Sequence, residues 1–328
     1  ARAAGLDALL LDRGGLCASI AEWPIYCRFF TTRDKLEIAD VPFAIPDDKP
    51  DRRQALVYYQ HVARHHGLRI ATHERVRGAQ PIPADAPDAR AGARLVVESA
   101  GRDGRPQCRY ARAVALATGY WGQPKRLGVP GEDQPWIQQR YREPYGHAGE
   151  HVAIVGGGNT AAEVALDLWR NGVRVTIVHR RDALKPSIKY WLTPDIHNRI
   201  AEGSIDARMN TVVRRFGDDR TLHLATADGG DAGALRVDAA YVLIGYRPDV
   251  DLQRACGVAI DDETLEPTFD PGTFESNVPG LYVAGALQAG RRTDRIFIEN
   301  SRDHGDVIVR HLLRDRAPAA VAASSIAR

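Results

Sequence analysis

Residues 151–181 read HVAIVGGGNTAAEVALDLWRNGVRVTIVHRR, and this stretch decides the fold. An apolar run of strand type at residues 152–155 leads into three glycines. Gly156, Gly158 and Ala161 satisfy the pattern G-x-G-x-x-G/A. From Ala161 to Trp169 apolar residues recur at helical spacing, and Gly172 marks the stop. Residues 173–178 form a second strand-like run. A glycine pattern alone is weak, but the order strand, turn, helix, strand makes it a dinucleotide-binding unit. Gly156 permits the tight turn out of the strand. Gly158 lets a pyrophosphate approach the backbone, and Ala161 is small enough for close helix–strand packing. The helix start adds free N–H groups and the positive dipole end, worth up to about 2 kcal/mol for an anion in a favourable site.

The tip of the second strand selects the coenzyme. An NAD site places Asp or Glu there to hold the ribose 2′-hydroxyl. Here the tip is His179, Arg180 and Arg181. A carboxylate would repel a 2′-phosphate, whereas arginine offers it a planar donor fork. The tip therefore predicts NADP(H).

Bulk properties narrow the class. The chain has 328 residues, 44% hydrophobic and 26% charged, which allows two folded domains. A net charge of +2, spread along the chain, gives no footprint for nucleic acid. No apolar run approaches the roughly 18 residues of a membrane span. No charged leader with an apolar core is visible either. These features point to a cytoplasmic protein. Cys17, Cys27, Cys108 and Cys256 form neither C-x-x-C nor a zinc-ligand spacing with histidine, so no metal site is expected. Cys17 and Cys27 could still meet in space, but two ordinary buried thiols are the favoured reading.

The unit has an internal echo. Residues 4–13, AGLDALLLDR, parallel residues 171–180, NGVRVTIVHR. Both run helix end, glycine, strand, polar tip. Gly156 precedes Gly172 by 16 residues. The matching glycine of the first copy falls about eleven residues before residue 1. The first strand and glycine loop of that copy are thus expected to be missing. Its tip is Asp12, whose carboxylate suits a ribose without a 2′-phosphate, as in FAD.

Other segments support an α/β chain. Residues 112–120, RAVALATGY, read as a strand ending in Ala117-Thr118-Gly119, and residues 127–133, LGVPGED, as a turn-rich connection. Residues 241–249 read as one apolar strand, and 280–290 as a strand running into Gly285 and a polar turn. Residues 294–313 read as one helix with Asp294 as its N-cap. Residues 78–93 read as a surface loop, and the tail after Arg316 as frayed.

The glycine loop with its HRR tip, together with the strands ending at Gly119 and Gly285, resembles the thioredoxin-reductase class of two-dinucleotide flavoprotein reductases. Within it, the chain is most similar to the bacillithiol-disulfide-reductase-like family. The residues that carry this likeness are Phe29-Phe30-Thr31-Thr32, Lys35-Leu36-Glu37-Ile38, Val41-Pro42-Phe43, Ser187-Ile188-Lys189-Tyr190-Trp191, Pro194-Asp195, Asn198-Arg199-Ile200 and Ile296-Phe297-Ile298-Glu299-Asn300. They run over nearly the whole chain and are more specific than the glycine pattern.

The resemblance implies two Rossmann-like three-layer α/β domains: an FAD domain, residues 1–122 and 245–328, interrupted by an NADP domain, residues 123–244. It implies FAD reduced by NADPH, and a homo-oligomer, usually a dimer. Asp12 would take the FAD ribose. Ala117, Thr118 and Gly119 would lie against the FAD, Gly285 and Ala286 near its ribityl chain, and Phe30 and Thr31 in the flavin-side loop. Gly156, Gly158, Asn159, Thr160, Arg180 and Arg181 would hold NADPH. His304 and Glu299 fall near the flavin end, either as proton donors or as partners on the last helix.

Three departures from the family pattern stand out. Ala286 replaces the aspartate of the wider class. The loop carrying the family's proposed thiol is not in this sequence. Gln138-Gln139 stand where relatives often carry histidine. No catalytic residue is assigned.

The implied reaction is hydride transfer from NADPH to flavin, then reduction of a small-molecule disulfide such as bacillithiol disulfide. Three alternatives remain. One is an electron shuttle to a small redox carrier, ferredoxin or flavodoxin. Another is a flavin monooxygenase, although residues 136–149 lack its F-x-G-x-x-x-H pattern. The last is a flavin-free NADP-binding module, if the first glycine loop is naturally absent.

Overall fold

The computed structural model describes residues 1–83, 85 and 92–314. Its chain forms two α/β regions built on the same plan. In the second, five strands make one fully parallel sheet, in the order Asp206–Arg208, Arg174–Val178, His151–Val155, Ala239–Val242, Ile137–Gln138. All five residues of His151–Val155 are buried, as expected of a central parallel strand covered on both faces. The helix Asn159–Arg170 lays Ala161, Ala162, Val164, Ala165, Leu166 and Leu168 onto one face. The opposite face carries a three-stranded antiparallel sheet, Thr211–Phe216, Thr221–Thr226 and Asp231–Arg236. Val213, Phe216, Leu222 and Leu224 from it pack on Ala153, Val155, Val178, Ala240 and Val242. Helix, parallel sheet and antiparallel sheet are the three layers.

The first region repeats the plan with a different sheet. Leu10–Asp12 pairs in parallel with Ile70–Thr72, and Val114–Leu116 with Leu281–Val283. Among the described residues no strand joins these two pairs. An antiparallel sheet of Arg75–Pro81, Leu95–Ala100 and Pro106–Ala111 forms the outer layer. The helix Arg52–His65 begins in a full capping box. Asp51 accepts from the Gln54 amide at 2.7 Å, and Gln54 accepts from the Asp51 amide at 2.8 Å. Its Ala55, Tyr58, Tyr59 and Val62 pack on Phe29, Leu36, Val41 and Phe43.

The structure corrects four readings of the sequence. Residues 241–249 are not one strand. Ala239–Val242 ends where Leu243 donates to the Val155 carbonyl, and Gly245, at φ 99°, turns the chain into Tyr246–Arg247. That short strand pairs antiparallel with Gln123–Pro124. The segment after Leu281–Val283 is a buried 3-10 turn, Gly285–Ala289, rather than a polar one. Gln288 turns inward and donates to the Val283 carbonyl at 2.7 Å.

Residues 294–313 are split into Ile298–Ser301 and His304–Arg314, and Asp294 caps neither. Asn300 holds the first helix start by accepting from the Phe297 amide at 2.8 Å and donating to the Arg295 carbonyl. The Asp303 carbonyl then receives the Val307 amide and starts the second helix. Residues 78–81 belong to the Arg75–Pro81 strand, not to a loop. Residues 84 and 86–91 and the tail after Arg316 lie outside the described residues. No helix among the described residues is long and apolar enough to cross a membrane.

Candidate dinucleotide sites

Both candidate sites lie at the carboxyl ends of parallel strands, where open α/β sheets bind ligands. At the end of His151–Val155, Gly156 has φ 152° and donates to the Val178 carbonyl at 3.0 Å. A Cβ on it would overlap the Leu243 carbonyl oxygen, so only glycine fits. Gly158 differs. It is the N-cap of Asn159–Arg170, with no side chain capping the helix start. A Cβ there would meet nothing closer than the Lys185 Cδ at 3.8 Å. The helix start thus faces open space and offers its N–H groups to an anion.

Asn159 does not point into this space. Its amide accepts from the Lys189 N–H at 2.7 Å and donates to the Ser187 carbonyl at 3.2 Å, tying the 187–189 loop to the helix. Thr160 is half-buried beside it, and Arg180 and Arg181 are exposed beyond the strand tip. His179 is only 6% exposed, and its ring fills the space a Gly157 side chain would need. Burial, and then the charges of Arg180, Arg181 and Lys185, hold it below the ordinary histidine value. It is a neutral support beneath the loop.

The sequence reading missed Lys185, whose amide donates to the Gly157 carbonyl at 2.9 Å and whose stem lies over Gly158. The signal was available as a cation four residues beyond Arg181.

In the first region, Asp12 ends its strand. One carboxylate oxygen accepts from the Gly14 amide at 2.8 Å. Ala117 and Thr118 are exposed. Gly119 (φ 66°) and Gly285 (φ 68°) follow two paired parallel strands, Val114–Leu116 and Leu281–Val283. Nothing lies within 4 Å of where either would carry a Cβ, so the two glycines form an open cradle. Two residues beyond Gly119, the Trp121 indole N–H is buried without an acceptor, as is that of Trp23, whose ring lies 5.7 Å away. The open cradle at the ends of two paired parallel strands fits a flat ring such as a flavin.

Ala286 lies half-buried in the 3-10 turn. His304 accepts from the Gly285 amide through Nδ1 at 3.1 Å. Its other nitrogen therefore carries the hydrogen, and burial holds it below the ordinary histidine value. Thr31 is half-buried. Phe30 stands next to Phe29, whose ring lies 4.9 Å from that of Trp23. Phe30 is 57% exposed and stacks on Trp191 at 5.5 Å, with the Lys49 ammonium 4.0 Å from the Trp191 ring centre. Cys17 and Cys27 form no disulfide. Burial, then the Asp12 charge, pushes Cys17 up to about 11. Burial, then Glu163, pushes Cys27 up to about 12. No group of three or more metal-ligating side chains occurs among the described residues.

Residues 1–285 match the family model described as pyridine nucleotide-disulphide oxidoreductase. The chain belongs to this family. It is 32% identical over 311 residues to bacilliredoxin reductase of Bacillus subtilis, covering 94% of this chain and 91% of that one. The solved bacillithiol disulfide reductase of Bacillus cereus superposes with a TM-score of 0.89 at 32% identity, covering 96% of this chain and 93% of that one. A ferredoxin–NADP reductase of Ignicoccus hospitalis is 30% identical, over 54% of this chain and 56% of its own length. The fold is α/β with two Rossmann-like domains. The protein is an NADPH-dependent flavoprotein oxidoreductase, with FAD and NADPH as its cofactors.

Proposed function

We propose that this chain carries electrons from NADPH through FAD to a low-molecular-weight disulfide of the bacillithiol type. The observation that carries the reading is the likeness to bacilliredoxin reductase along 94% of the chain. The ferredoxin reductase likeness spans only about half. The reading includes a cytoplasmic homo-oligomer, and an FAD domain of residues 1–122 and 245–328 around an NADP domain of residues 123–244. Two pairs of separate cores support that division. One pair is built from residues 127–244, the other from residues 11–116, 252–287 and 298.

Bound FAD would supply the two-electron redox chemistry that links NADPH to the disulfide. The residues of the chain do the rest. Arg180 and Arg181 receive the 2′-phosphate, and the start of Asn159–Arg170 with Lys185 receives the diphosphate. Asp12 accepts from the adenosine ribose of FAD, while Gly119 and Gly285 leave room for the flavin half. His304 fixes the Gly285 amide and so sets the shape of the turn that carries Ala286. Cys17 and Cys27 are held protonated, which is the wrong direction for a thiolate nucleophile.

The test is turnover of NADPH by flavin-loaded protein with bacillithiol disulfide, other small disulfides, ferredoxin and flavodoxin. Fastest turnover with bacillithiol disulfide is expected. Turnover with ferredoxin alone would overturn the disulfide reading.

A further inference from the structure

A cluster of positive charge beside the glycine loop exceeds what the strand tip requires. Lys125, Lys185, Arg180 and Arg291 come from four separate segments. None shares an ion pair with a carboxylate among the described residues, although Arg170, Lys189 and Arg292 nearby in sequence each do. Cations without carboxylate partners beside a glycine loop suit an anion.

The backbone says where Lys125 stands. The Leu243 amide donates to the Val155 carbonyl at 2.8 Å, and the Leu243 carbonyl abuts Gly156. Two residues on, the Gly245 carbonyl receives the Lys125 amide at 2.9 Å. Lys125, just beyond the Gln123–Pro124 ribbon strand, therefore lies on the Ala239–Val242 side of the parallel sheet. Arg180 leaves it on the other side, at the end of Arg174–Val178. A dinucleotide crosses such a sheet with its adenosine over the second strand and its diphosphate on the loop. Lys125 then falls beneath the nicotinamide half. Lys185, over Gly158, stands between the two. Arg291 follows Gly290 in the outer region and uses its Nε on the Glu263 carbonyl at 2.7 Å. Burial and the charges of Lys185, Arg291 and Arg180 together hold the Lys125 ammonium below the ordinary lysine value.

We propose that Lys125 is a coenzyme-positioning residue: it receives the nicotinamide-side phosphate of NADPH, on the side of the glycine loop opposite Arg180. The inference rests on the NADPH reading above and adds the half of the coenzyme that the strand-tip arginines do not reach.

Calorimetric titration of the full chain with NADP⁺ and with 2′,5′-ADP separates the two halves, because 2′,5′-ADP lacks the nicotinamide-side phosphate. Lys125→Met is expected to weaken NADP⁺ by about tenfold or more, the loss of one charge-assisted hydrogen bond. The same variant should leave 2′,5′-ADP within about twofold, and Lys125→Arg should restore NADP⁺ binding. Arg180→Gln should weaken both ligands. Equal loss of both ligands in Lys125→Met, or no loss of either, would overturn the assignment while NADPH binding itself stands. Wild-type protein that binds neither ligand would overturn the NADPH reading and this assignment together.

Discussion

Replacing Arg180 and Arg181 together by glutamine should convert a preference for NADPH into near indifference between NADPH and NADH. Both guanidinium groups stand exposed past the end of Arg174–Val178, and neither has a carboxylate partner among the described residues. A pair of unit charges 4 Å apart is worth about 4 kcal/mol at an effective dielectric of about 20. Exposure and the cost of ordering two long side chains reduce that to about 1.5 kcal/mol per arginine. Two of them amount to about 3 kcal/mol, or somewhat over a hundredfold in kcat/KM at 1.36 kcal/mol per tenfold. The assay is initial-rate oxidation of NADPH and NADH by flavin-loaded enzyme with a saturating acceptor. kcat/KM for NADPH should fall by about a hundredfold, and that for NADH by less than about threefold. Added salt should erode the wild-type preference as the Debye length shortens from about 10 Å at 0.1 M. It should leave the double variant almost unaffected. An unchanged NADPH-to-NADH ratio in the variant would refute the phosphate role of the tip.

Glycine positions supply a contrast. Gly156→Ala forces a Cβ onto the Leu243 carbonyl at a φ of 152°, and should lower unfolding free energy by about 2–3 kcal/mol in denaturant titrations. Gly158→Ala has room, so the same titrations should show near wild-type stability while NADPH affinity falls. His151, His179 and His304 all sit below the ordinary value of 6.5, burial being the first cause at each. As pH falls, the unfolded chain protonates before the folded one. Stability should therefore be full above 6.5 and decline below it, toward the folded values. Thermal melts from about pH 5 to 8 will show whether His179→Asn flattens that decline. Ala39 and Asp40 both have φ 56°, a cost for residues with a Cβ. Ala39→Gly should raise stability by about 0.5–1 kcal/mol, and a lower melting temperature would contradict this.

The unit at residues 151–181 was legible because its signals are local. Period, glycine placement and strand tip all fall within one supersecondary element, and the structure follows them from His151–Val155 through Arg174–Val178. The antiparallel layer at Thr211–Phe216 was not legible. Its inward face is defined only by what it covers, Val155 and Val242 from distant segments. The break at Arg302-Asp303 was hidden because the segment keeps helical spacing on both sides, and only the hydrogen bonds of Asn300 and Asp303 show where it restarts. The site divides the same way. Arg180 and Arg181 announce themselves by position, whereas Lys125 joins the loop through a backbone bond to Gly245, a contact between residues far apart in sequence. Phe30 was placed by likeness alone. Its stack on Trp191 depends on how the two regions meet, which no spacing encodes.

The short ribbon of Gln123–Pro124 against Tyr246–Arg247 also orders events on the ribosome. Both cores of residues 127–244 lie within one uninterrupted stretch, so this stretch has all its partners as soon as it emerges. The outer core waits, because Val114–Leu116 must find Leu281–Val283 after everything between has been synthesised. Completing the inner unit first brings residues 123 and 247 side by side, and the long excursion shrinks to a short closure with a smaller entropic cost. Damage to the inner sheet should therefore delay the outer region as well, leaving its apolar strands waiting unpaired while the chain is at its most vulnerable to aggregation.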